Sequence, residues 1–442
     1  MDKIIKDSTI IKDLFENSDE LSNQDIIKKF PKVNFNLLIS YYNSPTSIEE
    51  KDLLKIAEYM NYLDCGQLEN VLILIKHSDI VLGKRSLNED LTREINIELN
   101  KFISIACGSF HSVGLRKDGS IVTWGGYSKH QRYDSPVDFG YIAIACGGYH
   151  SVALRGDGSV TTWGDNSKNQ RKNTPKTAGY IKIACGSDHS VALTEDGRIV
   201  TWGDNSNDQL KDMPSKSGYI AIACGDYHSV ALHKNGSVAT WGQTLFNERD
   251  NFSTSGNYIA IACNSQQSMA LRDDGVIVVW GSTIRYELMF DGIYQINHPV
   301  YSKNLYVGIA CGTYHSVGLT RDGKINMFVN LSNTFIGQTD YIKLNDGYIA
   351  IACGLHHSLA LREDGSIATW GNNSKNQRDD SPTGNGYIAI SCGNHHSVAI
   401  HSDGSIVTWG SNLDDQRDDS PVLSQNNNIF QKFTEFYKKM KI

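Results

Sequence analysis

Residues 140–175 read GYIAIACGGYHSVALRGDGSVTTWGDNSKNQRKNTP, and close copies of this stretch recur along most of the chain. A fixed period of about 20 to 50 residues is typical of a repeat architecture. The sequence therefore contains eight units, which begin near residues 101, 140, 179, 218, 257, 305, 347 and 386. One cysteine marks each unit, at spacings of 39, 39, 39, 39, 48, 42 and 39 residues: Cys107, Cys146, Cys185, Cys224, Cys263, Cys311, Cys353 and Cys392.

Each unit contains three short β-like runs separated by turn signals. The first run, residues 141–146, is apolar on both faces of the pleat, which predicts an inner strand covered on both sides. The second and third runs, residues 151–154 and 159–163, are joined through Asp157-Gly158. We expect this dipeptide to supply the positive φ angles of a tight hairpin, and Asn235-Gly236 to do the same in the fourth unit.

A meander of three or four strands cannot bury two apolar faces alone, so the units must stack as an open solenoid or a closed ring. Closure removes the exposed edges, and the small residues at the start of each unit suit a central channel. We therefore predict an all-β propeller of eight blades, or seven if the degenerate sixth unit KINMFVNLSNTF (residues 324–335) does not form one. Tryptophans supply bulk between the blades, with Phe328 in the sixth: Trp124, Trp163, Trp202, Trp241, Trp280, Trp370 and Trp409.

The repeated pattern ACGxxHSVALxxDGxxxTWGxNxxxQ resembles the repeat of the RCC1 (regulator of chromosome condensation) family. This resemblance implies a propeller that binds proteins, and the Ran-acting member of the family is a guanine-nucleotide exchange factor. The present units are shorter than those of that member. The family's Gly-Gln-Leu-Gly is replaced by Asn169-Gln170-Arg171 or a relative of it, and the family usually closes with seven blades.

The first hundred residues have helical periodicity instead. Ser47 and Glu50 are spaced as a capping box before an apolar stripe that includes Leu53 and Met60, and Gly66 separates this helix from a second one. Residues 29–75 resemble the C-terminal half of a BTB/POZ domain, although residues 1–28 offer no counterpart to its strand-rich first half. The alternative is a helical cap on the propeller. The predicted domains are a helical, partly BTB/POZ-like residues 1–80, a connector 81–100, the propeller 101–422 and an amphipathic helix 423–442.

A histidine recurs once per unit and suggests a metal site. Zinc needs three or four ligands converging on one ion, whereas these residues lie one to a blade. We therefore predict no metal, and a structural hydrogen bond from each ring to neighbouring backbone. Gln267 takes the place of histidine in the fifth unit. The histidines are His111, His150, His189, His228, His315, His357 and His396.

No sequence motif for catalysis is present: neither a GxSxG elbow, a phosphate-binding loop nor an HExxH helix occurs. The repeated cysteines are interpreted as small buried apolar residues, since no neighbouring residue type would lower the pKa of a thiol. The sequence therefore predicts no enzymatic activity and no cofactor.

Two sets of surface residues remain as candidates for partner binding. An arginine follows the repeated Gln or its equivalent at Arg132, Arg171, Arg249, Arg378 and Arg417, and mixed charges nearby favour solvated loops over a binding stripe. The insertion Ser282 to Tyr306 is rich in residues that commonly anchor interfaces. Its candidates are Tyr286, Met289, Phe290, Tyr294 and Tyr301.

The composition narrows the class of function further. The net charge of -7, without a block of like charge, disfavours a nucleic-acid partner. No stretch is long and apolar enough for a membrane span, which predicts an intracellular protein, cytoplasmic or nuclear. We expect a non-enzymatic protein interaction scaffold, with BTB-like helices that recruit a cullin-type ubiquitin ligase. Alternatives are an exchange factor for a small GTPase and a structural protein.

Overall fold

The computed structural model describes residues 97–126, 128, 131–243, 256–265, 267–281, 286–289, 292–295, 300–301, 305–329 and 347–421. The chain divides into two compact units, Met1–Lys101 with Ser424–Ile442, and Phe102–Leu423. In the first unit, residues 97–100 form a helical turn that the Lys101 amide closes by donating to the Glu98 carbonyl at 3.2 Å. The predicted helices at 47–75 and 423–442 lie outside the described residues. No helical segment within the described ranges is long and apolar enough to cross a membrane.

The second unit is built from short strands. In chain order the first four repeats contain β1 (Phe102–Cys107), β2 (His111–Arg116), β3 (Ile121–Gly125), β4 (Tyr141–Cys146), β5 (His150–Arg155), β6 (Val160–Gly164), β7 (Tyr180–Cys185), β8 (His189–Thr194), β9 (Ile199–Gly203), β10 (Tyr219–Cys224), β11 (His228–His233) and β12 (Val238–Gly242). The last four contain β13 (Tyr258–Asn264), β14 (Gln267–Arg272), β15 (Ile277–Gly281), β16 (Tyr286–Met289), β17 (Gly292–Gln295), β18 (Val300–Tyr301), β19 (Tyr306–Cys311), β20 (His315–Thr320), β21 (Ile325–Val329), β22 (Tyr348–Cys353), β23 (His357–Arg362), β24 (Ile367–Gly371), β25 (Tyr387–Cys392), β26 (His396–His401) and β27 (Ile406–Gly410).

Each repeat forms one antiparallel sheet, in which the three strands pair in chain order. The first strand lines the axis, because its cysteine and the following glycine border a common central cavity in most blades. This arrangement confirms the predicted all-β architecture of eight repeat sheets. The sixth repeat is a full member, since β19, β20 and β21 pair in the same register as the other blades.

The ring closes between the last sheet and the first. The Phe102 amide donates to the Gly404 carbonyl at 3.1 Å, and the Gly126 amide donates to the Asp414 carbonyl at 2.9 Å. Closure therefore joins residues about three hundred positions apart and leaves no open end to the array. Eight blades, not seven, complete the circle.

The core lies between neighbouring sheets. In one interface, Val152 and Leu154 of the second blade pack against Tyr180, Ala192 and Trp202 of the third. Six further interfaces repeat this arrangement, and all seven tryptophans are at most 2% exposed. Phe328 is fully buried at the equivalent position of the sixth blade. Since a large aromatic side chain contributes roughly 3 kcal/mol or more when buried, these interfaces carry most of the apolar stabilisation.

The hairpin turns differ from the prediction in one respect. Gly158 has a φ of 81°, whereas Asp157 keeps a negative φ, so only the glycine takes the left-handed conformation. The Gly158 amide donates to the Arg155 carbonyl at 2.9 Å, and the Asp157 carboxylate accepts from the Ser159 amide at 2.8 Å. The aspartate is therefore selected for this side-chain cap, and the turn is a type I turn followed by a left-handed glycine.

The large insertion before the sixth repeat contributes strands, where the sequence suggested an exposed loop. Strands β16 and β17 form a hairpin, and β16 also pairs with β21, so the sixth sheet has five strands. Strand β18 pairs with β15 and gives the fifth sheet a fourth strand. The insertion is thus an extension of two blades.

Candidate functional site

The histidines form a ring of side-chain hydrogen bonds that connects all eight blades. His150 Nε2 lies 2.8 Å from Ser190 Oγ of the next blade, and His396 Nε2 lies 2.7 Å from Ser112 Oγ across the closure. The remaining histidines repeat this contact with the next serine, at 2.5 to 2.8 Å. In the fifth blade Gln267 substitutes, and its Oε1 accepts from Ser316 at 2.8 Å. The sequence did not predict these serine partners. Its prediction of a bond between each ring and neighbouring backbone is supported for His150, which interacts with the Ser187 backbone, and for His189, which interacts with that of Asp226.

Burial decides the protonation of these rings. Each histidine is at most 1% exposed, and desolvation lowers its pKa from 6.5 to about 3 for His111, His189, His315 and His357 and about 4 for His150, His228 and His396. A neutral ring can share one hydrogen bond with the serine through Nε2, and the Ser190 hydroxyl also donates to Cys185 Sγ at 3.8 Å. The histidines therefore link the blades as neutral groups.

The repeated thiols are equally inert. Burial is the main reason that the pKa of Cys107 rises to about 11 and those of Cys224 and Cys311 to about 12. Nucleophilic attack and metal binding both require the thiolate, which such a pKa suppresses at neutral pH. Within the described residues, no group of three or more His, Cys, Asp or Glu side chains is arranged to hold a metal ion. That the protein binds no metal stays a prediction.

The central cavity opens on the face where the inner strands end, which we call the loop face. Its volume is about 110 Å³, and its walls are cysteines, glycine backbone and a few polar side chains, including Asp226, Asn264 and Asn394. Backbone hydrogen bonds run around this mouth: the Gly148 amide donates to the Ser187 carbonyl at 2.9 Å, and the Ser187 amide donates to Asp226 at 3.2 Å. The opening is therefore polar, and backbone hydrogen bonds join neighbouring blades at its edge.

Aromatic side chains recur on the loop face at the residue that precedes the histidine, in six of the seven repeats that have this histidine; Asp188 takes the place in the third. Phe110 stacks on Tyr149 with ring centroids 4.9 Å apart, and Tyr314 stacks on His356 at 4.8 Å. Tyr227 and Tyr314 are each 37% exposed. We call Phe110, Tyr149, Asp188, Tyr227, Tyr314, His356 and His395 the mouth rim. The sequence analysis did not identify this set, although its position inside the repeat was the available signal.

Carboxylates accompany the aromatic residues of the mouth rim. Burial raises the pKa of Tyr227, and the nearby charges of Asp226, Asp188 and Asp204 raise it further. Tyr149 is affected in the same way by desolvation and by Asp414, Asp188 and Asp165. Exposed aromatic rings beside negative charge form a surface suited to basic and apolar groups of a protein partner.

The outer loops, which follow the third strand of each blade, are shaped by their asparagine and glutamine. The Asn166 side chain accepts from the Arg171 amide at 2.9 Å, and the fully buried Gln170 accepts from the Lys168 amide at 2.9 Å. Asn169 takes a φ of 64° between them. The same bonds recur in the third, seventh and eighth blades. The repeated Asn and Gln are thus loop-forming residues, and they hold the following side chain in a fixed place.

The predicted arginines follow the repeated Gln in these outer loops, and three of them contact the preceding blade. Arg171 pairs with Asp134 at 2.6 Å, and Arg417 pairs with Asp380 at 2.5 Å. Arg132 pairs with Asp419 across the closure. These three arginines therefore have partners within the chain, and their binding of another protein stays a prediction. Arg378 lies in an equivalent loop, and Arg249 lies outside the described residues.

We expect Arg417→Gln to lower the stability of the propeller only slightly. Both members of the Arg417–Asp380 pair are more than one third exposed, so water screens the charge, and such pairs contribute about 0.5 kcal/mol. Chemical denaturation followed by tryptophan fluorescence measures this change. A loss of several kcal/mol would contradict the interpretation of these pairs as surface contacts. Arg198→Gln, which breaks a more exposed pair inside one turn, is the matched control.

The aromatic candidates of the insertion are placed only by their strands. Tyr286 and Met289 are the ends of β16, Tyr294 lies in β17, and Tyr301 ends β18. Phe290 lies outside the described residues. Strand pairing brings Tyr286 opposite Gln295 and Val329, and Tyr301 opposite Val278 in the neighbouring sheet. The four described residues thus belong to two adjacent blades instead of one loop, and contact of the candidates with a partner stays a prediction.

Similar solved structures include several propellers. The CRINKLY WD40 ectodomain of the Arabidopsis thaliana receptor kinase ACR4 is 22% identical, with a TM-score of 0.46 over 62% of this chain and 98% of that one. Human WBSCR16 is 18% identical, with a TM-score of 0.44 over 68% and 87%. Prp20p from Saccharomyces cerevisiae is 18% identical, with a TM-score of 0.43 over 76% and 86%. No curated protein sequence is significantly similar to the chain.

The family model for the regulator of chromosome condensation (RCC1) repeat matches residues 102–131, 141–170, 180–209, 219–247, 348–377 and 387–416. These segments are the first four and the last two repeats. The two repeats without a match are those in which Gln267 replaces histidine and Phe328 replaces tryptophan, and between them lies the large insertion. Six of the eight blades of this chain are therefore formed by units that match the RCC1 repeat.

Proposed function

We propose that the protein is a non-enzymatic scaffold that binds another protein through the loop face of its propeller. The mouth rim is the observation that carries this proposal, because its aromatic residues recur from blade to blade on one face, stack in pairs and are partly exposed. Aromatic side chains dominate the binding energy of many protein interfaces. Hydrogen bonds between blades fix their positions before a partner arrives, which reduces the entropy that binding must overcome.

The state of the titratable groups supports a role in binding over one in catalysis. The repeated histidines are neutral and hydrogen-bonded, and the pKa of each repeated thiol is raised by burial. A general base or nucleophile needs the opposite arrangement, with a pKa near the working pH and access to a substrate. The repeated polar residues thus hold the blades together and leave the loop face for contacts.

Affinity capture with the full-length protein tests this function. We expect Tyr227→Ala with Tyr314→Ala to weaken capture of a specific partner by at least tenfold, because truncating an aromatic hot spot costs about 2 kcal/mol. Tyr133→Ala is the matched control, since Tyr133 is 72% exposed in an outer loop and lies outside the mouth rim. Equal loss in both variants, or capture unaffected by either, would contradict binding through this face.

The adaptor form of the proposal rests on the resemblance of residues 29–75 to part of a BTB/POZ domain. If these residues recruit a cullin-type ligase, a variant without residues 1–100 loses cullin association and keeps the partner of the mouth rim. Capture of both partners by that variant would remove the adaptor role and leave the scaffold.

Guanine-nucleotide exchange on a small GTPase is the alternative. The hairpin β16–β17 is the feature that favours it, because this hairpin extends the sixth sheet outward and β17 lies at the sheet edge, where backbone groups can pair with a partner strand. Exchange activity is measured as release of a labelled guanine nucleotide from a small GTPase. Release that accelerates with the protein, and not with a variant in which Ser282 to Tyr306 is shortened, would replace the scaffold with an exchange factor. A structural role would be favoured if no variant captured a specific partner.

A further inference from the structure

The outer loop of the seventh blade contains a buried glutamine whose amide group has no acceptor within the described part of the chain. Gln377 is fully buried, and its Oε1 accepts from the Lys375 amide at 2.8 Å, whereas its Nε2 donates to none of the described residues. Buried polar groups are nearly always hydrogen-bonded, so this donor indicates a place where an acceptor of a ligand fits. In three other outer loops the equivalent Nε2 donates to a carboxylate: Gln170 to Asp188 at 3.0 Å, Gln209 to Asp204 at 3.3 Å, and Gln416 to Asp414 at 3.3 Å.

The outer loop of the second blade is a matched comparison for that of the seventh. Residues 166–171 and 373–378 both read NSKNQR. The two loops have the same shape, since Asn169 and Asn376 take φ angles of 64° and 59°. Each glutamine Oε1 accepts from the amide of the lysine two residues earlier, at 2.9 Å in the second blade and 2.8 Å in the seventh. The free end of each glutamine is therefore held in the same place relative to its loop.

The second and seventh loops differ in the carboxylates that surround them. At the junction of the second and third blades, Asp188 accepts from Gln170, and Lys168 Nζ lies 4.0 Å from Asp204 Oδ2. Asp165 begins the same loop. At the junction of the seventh and eighth blades, all three positions are neutral in sequence or in charge, while the lysine and the glutamine are kept: Asn372 for Asp165, His395 for Asp188 and Ser411 for Asp204. The seventh loop thus retains the groups that contact a carboxylate and lacks the carboxylate itself.

Lys375, Gln377 and His395 lie close together at this junction. A Cβ atom at Gly410 would lie 2.7 Å from the His395 carbonyl oxygen and 3.5 Å from Gln377 Cγ. Burial, and then the charge of Lys375, lowers the pKa of His395, so the ring is neutral at pH 7 and lies within the field of the lysine.

The next charged residues of the loop do not supply the missing carboxylate. Arg378, Asp379 and Asp380 follow the buried glutamine, and Asp380 pairs with Arg417 at 2.5 Å. The junction therefore offers one ammonium group, one buried amide donor and one imidazole to a negatively charged group.

We propose that the junction of the seventh and eighth blades binds a carboxylate group through Gln377 Nε2, Lys375 Nζ and the His395 ring, at the place that Asp188 occupies in the third blade. We call these three residues the carboxylate site. An aspartate or glutamate of a protein partner is the expected source, because His395 belongs to the mouth rim. A free small carboxylate is the other source, and the experiment distinguishes the two. Only the choice of source rests on the proposed function.

Binding of acetate alone to the full-length protein is the first measurement, followed by NMR of protein labelled with ¹⁵N in the glutamine side-chain amides. We expect the Gln377 signal to shift and saturate, with a dissociation constant on the order of 10 mM, as suits a single charge-assisted contact. Sodium chloride at equal ionic strength should not shift it. The Gln170 signal is the internal control, since its amide already donates to Asp188. Single Gln→Asn variants identify both signals.

His395→Asp is the decisive variant, because it supplies the carboxylate that the third blade carries at this position. We expect it to bind acetate at least tenfold more weakly, with an unchanged or higher melting temperature. Lys375→Ala should weaken acetate binding by about threefold, as expected for an exposed lysine. Lys168→Ala is the matched control and should bind acetate like the wild type. If His395→Asp melts early, Lys375→Ala decides, since its side chain is exposed.

Affinity capture with His395→Asp then identifies the source of the carboxylate. Loss of both acetate binding and the captured partner assigns the carboxylate to that partner. Loss of acetate binding with the partner retained assigns it to a free small molecule. Three results would overturn the carboxylate site: an equal shift with chloride, an equal shift of Gln170, or acetate binding that neither His395→Asp nor Lys375→Ala weakens.

Failure of this site is separable from failure of the scaffold function. A protein that binds acetate at Gln377 but captures no partner would contradict the scaffold and leave the carboxylate site. A partner that is lost on Tyr227→Ala with Tyr314→Ala, in a protein whose Gln377 signal ignores acetate, would leave the scaffold and remove only this site.

Discussion

Lowering the pH from 7.5 to 5.5 is expected to remove most of the stability of the propeller. Seven buried histidines have a folded pKa of about 3 or 4, against an ordinary 6.5. Between these values the unfolded chain binds more protons than the folded one, so stability is complete above pH 6.5 and is lost as the pH falls. At pH 5.5 each histidine lowers the free energy of unfolding by about 1.4 kcal/mol, which gives roughly 10 kcal/mol for seven. This loss is comparable to the whole stability of a typical domain, about 5–15 kcal/mol.

Other groups leave this window largely unchanged. His356 and His395, whose pKa values are also lowered by burial, act in the same direction. Burial raises the pKa values of Asp188 and Asp226, so their contribution to the stability of the folded protein increases as the pH falls. These two carboxylates oppose the effect of seven histidines. Carboxylates with a lowered pKa, such as Asp157, lose their contribution only below their ordinary value of 3.8.

Tryptophan fluorescence during guanidinium unfolding at pH 7.5, 6.5 and 5.5 measures the effect on the propeller alone, because all seven tryptophans of the chain lie in it. The denaturation midpoint should fall steeply with each step. His189→Gln is the matched variant, since Gln267 already completes the hydrogen-bond ring in the fifth blade. It should lower the dependence of the free energy of unfolding on pH by the contribution of one proton. A midpoint that does not move between pH 7.5 and 5.5 would show that the ring histidines are not the buried neutral groups described here.

The repeat explains which features could be predicted from the sequence. Eight cysteines at a nearly constant period, together with short apolar runs, were sufficient for the eight sheets and for the inner position of the first strand. Burial of Trp163 and its equivalents follows from the same pattern, because a bulky residue recurring once per unit can only pack between units. These are properties of one repeat and of its neighbour in the chain.

Features that depend on contact across blades could not be predicted in this way. The partner of His150 is Ser190, 40 residues later, and no property of one unit indicates that the serine of the next unit lies within reach. The sequence favours solvated arginines because a charge run does not show that Asp134 faces Arg171. The insertion reads as a loop because its strands find partners, β21 and β15, in two different repeats.

The second large effect concerns the glycine that follows the cysteine of the inner strand in seven of the eight blades. We expect Gly186→Asn to destabilise the propeller by about 3 kcal/mol. A Cβ atom at Gly186 would lie 2.2 Å from His189 Cε1 and 2.5 Å from the Gly225 carbonyl oxygen. Neither the buried histidine, held by Ser229 at 2.8 Å, nor the backbone of the next blade can move away freely. Glycine is therefore required here by lack of space.

The fifth blade shows how this requirement can be relaxed. It has Asn264 at the glycine position, and in the same blade Gln267 replaces the histidine. The Asn264 side chain donates to the Cys311 carbonyl at 3.0 Å and accepts from the Ser265 amide at 2.7 Å, so it fits without loss of hydrogen bonds. The two departures from the repeat thus occur together because the flexible glutamine leaves room for the Cβ that a histidine ring would meet.

A double-mutant cycle tests this coupling. His189→Gln alone should cost about 1 kcal/mol or less, and its combination with Gly186→Asn should recover about half of the loss, a coupling of roughly 1–2 kcal/mol. Gly179→Asn is the matched control: no atom lies within 4 Å of its Cβ position, and the fifth blade already carries Asn257 there with a positive φ of 52°. If Gly186→Asn is tolerated as well as Gly179→Asn, or if His189→Gln fails to rescue it, then crowding against the histidine ring is not the reason for the glycine. If the rescue is observed, the repeated histidine and the repeated glycine constrain each other within each blade. The fifth blade is then the one in which both residues were exchanged together.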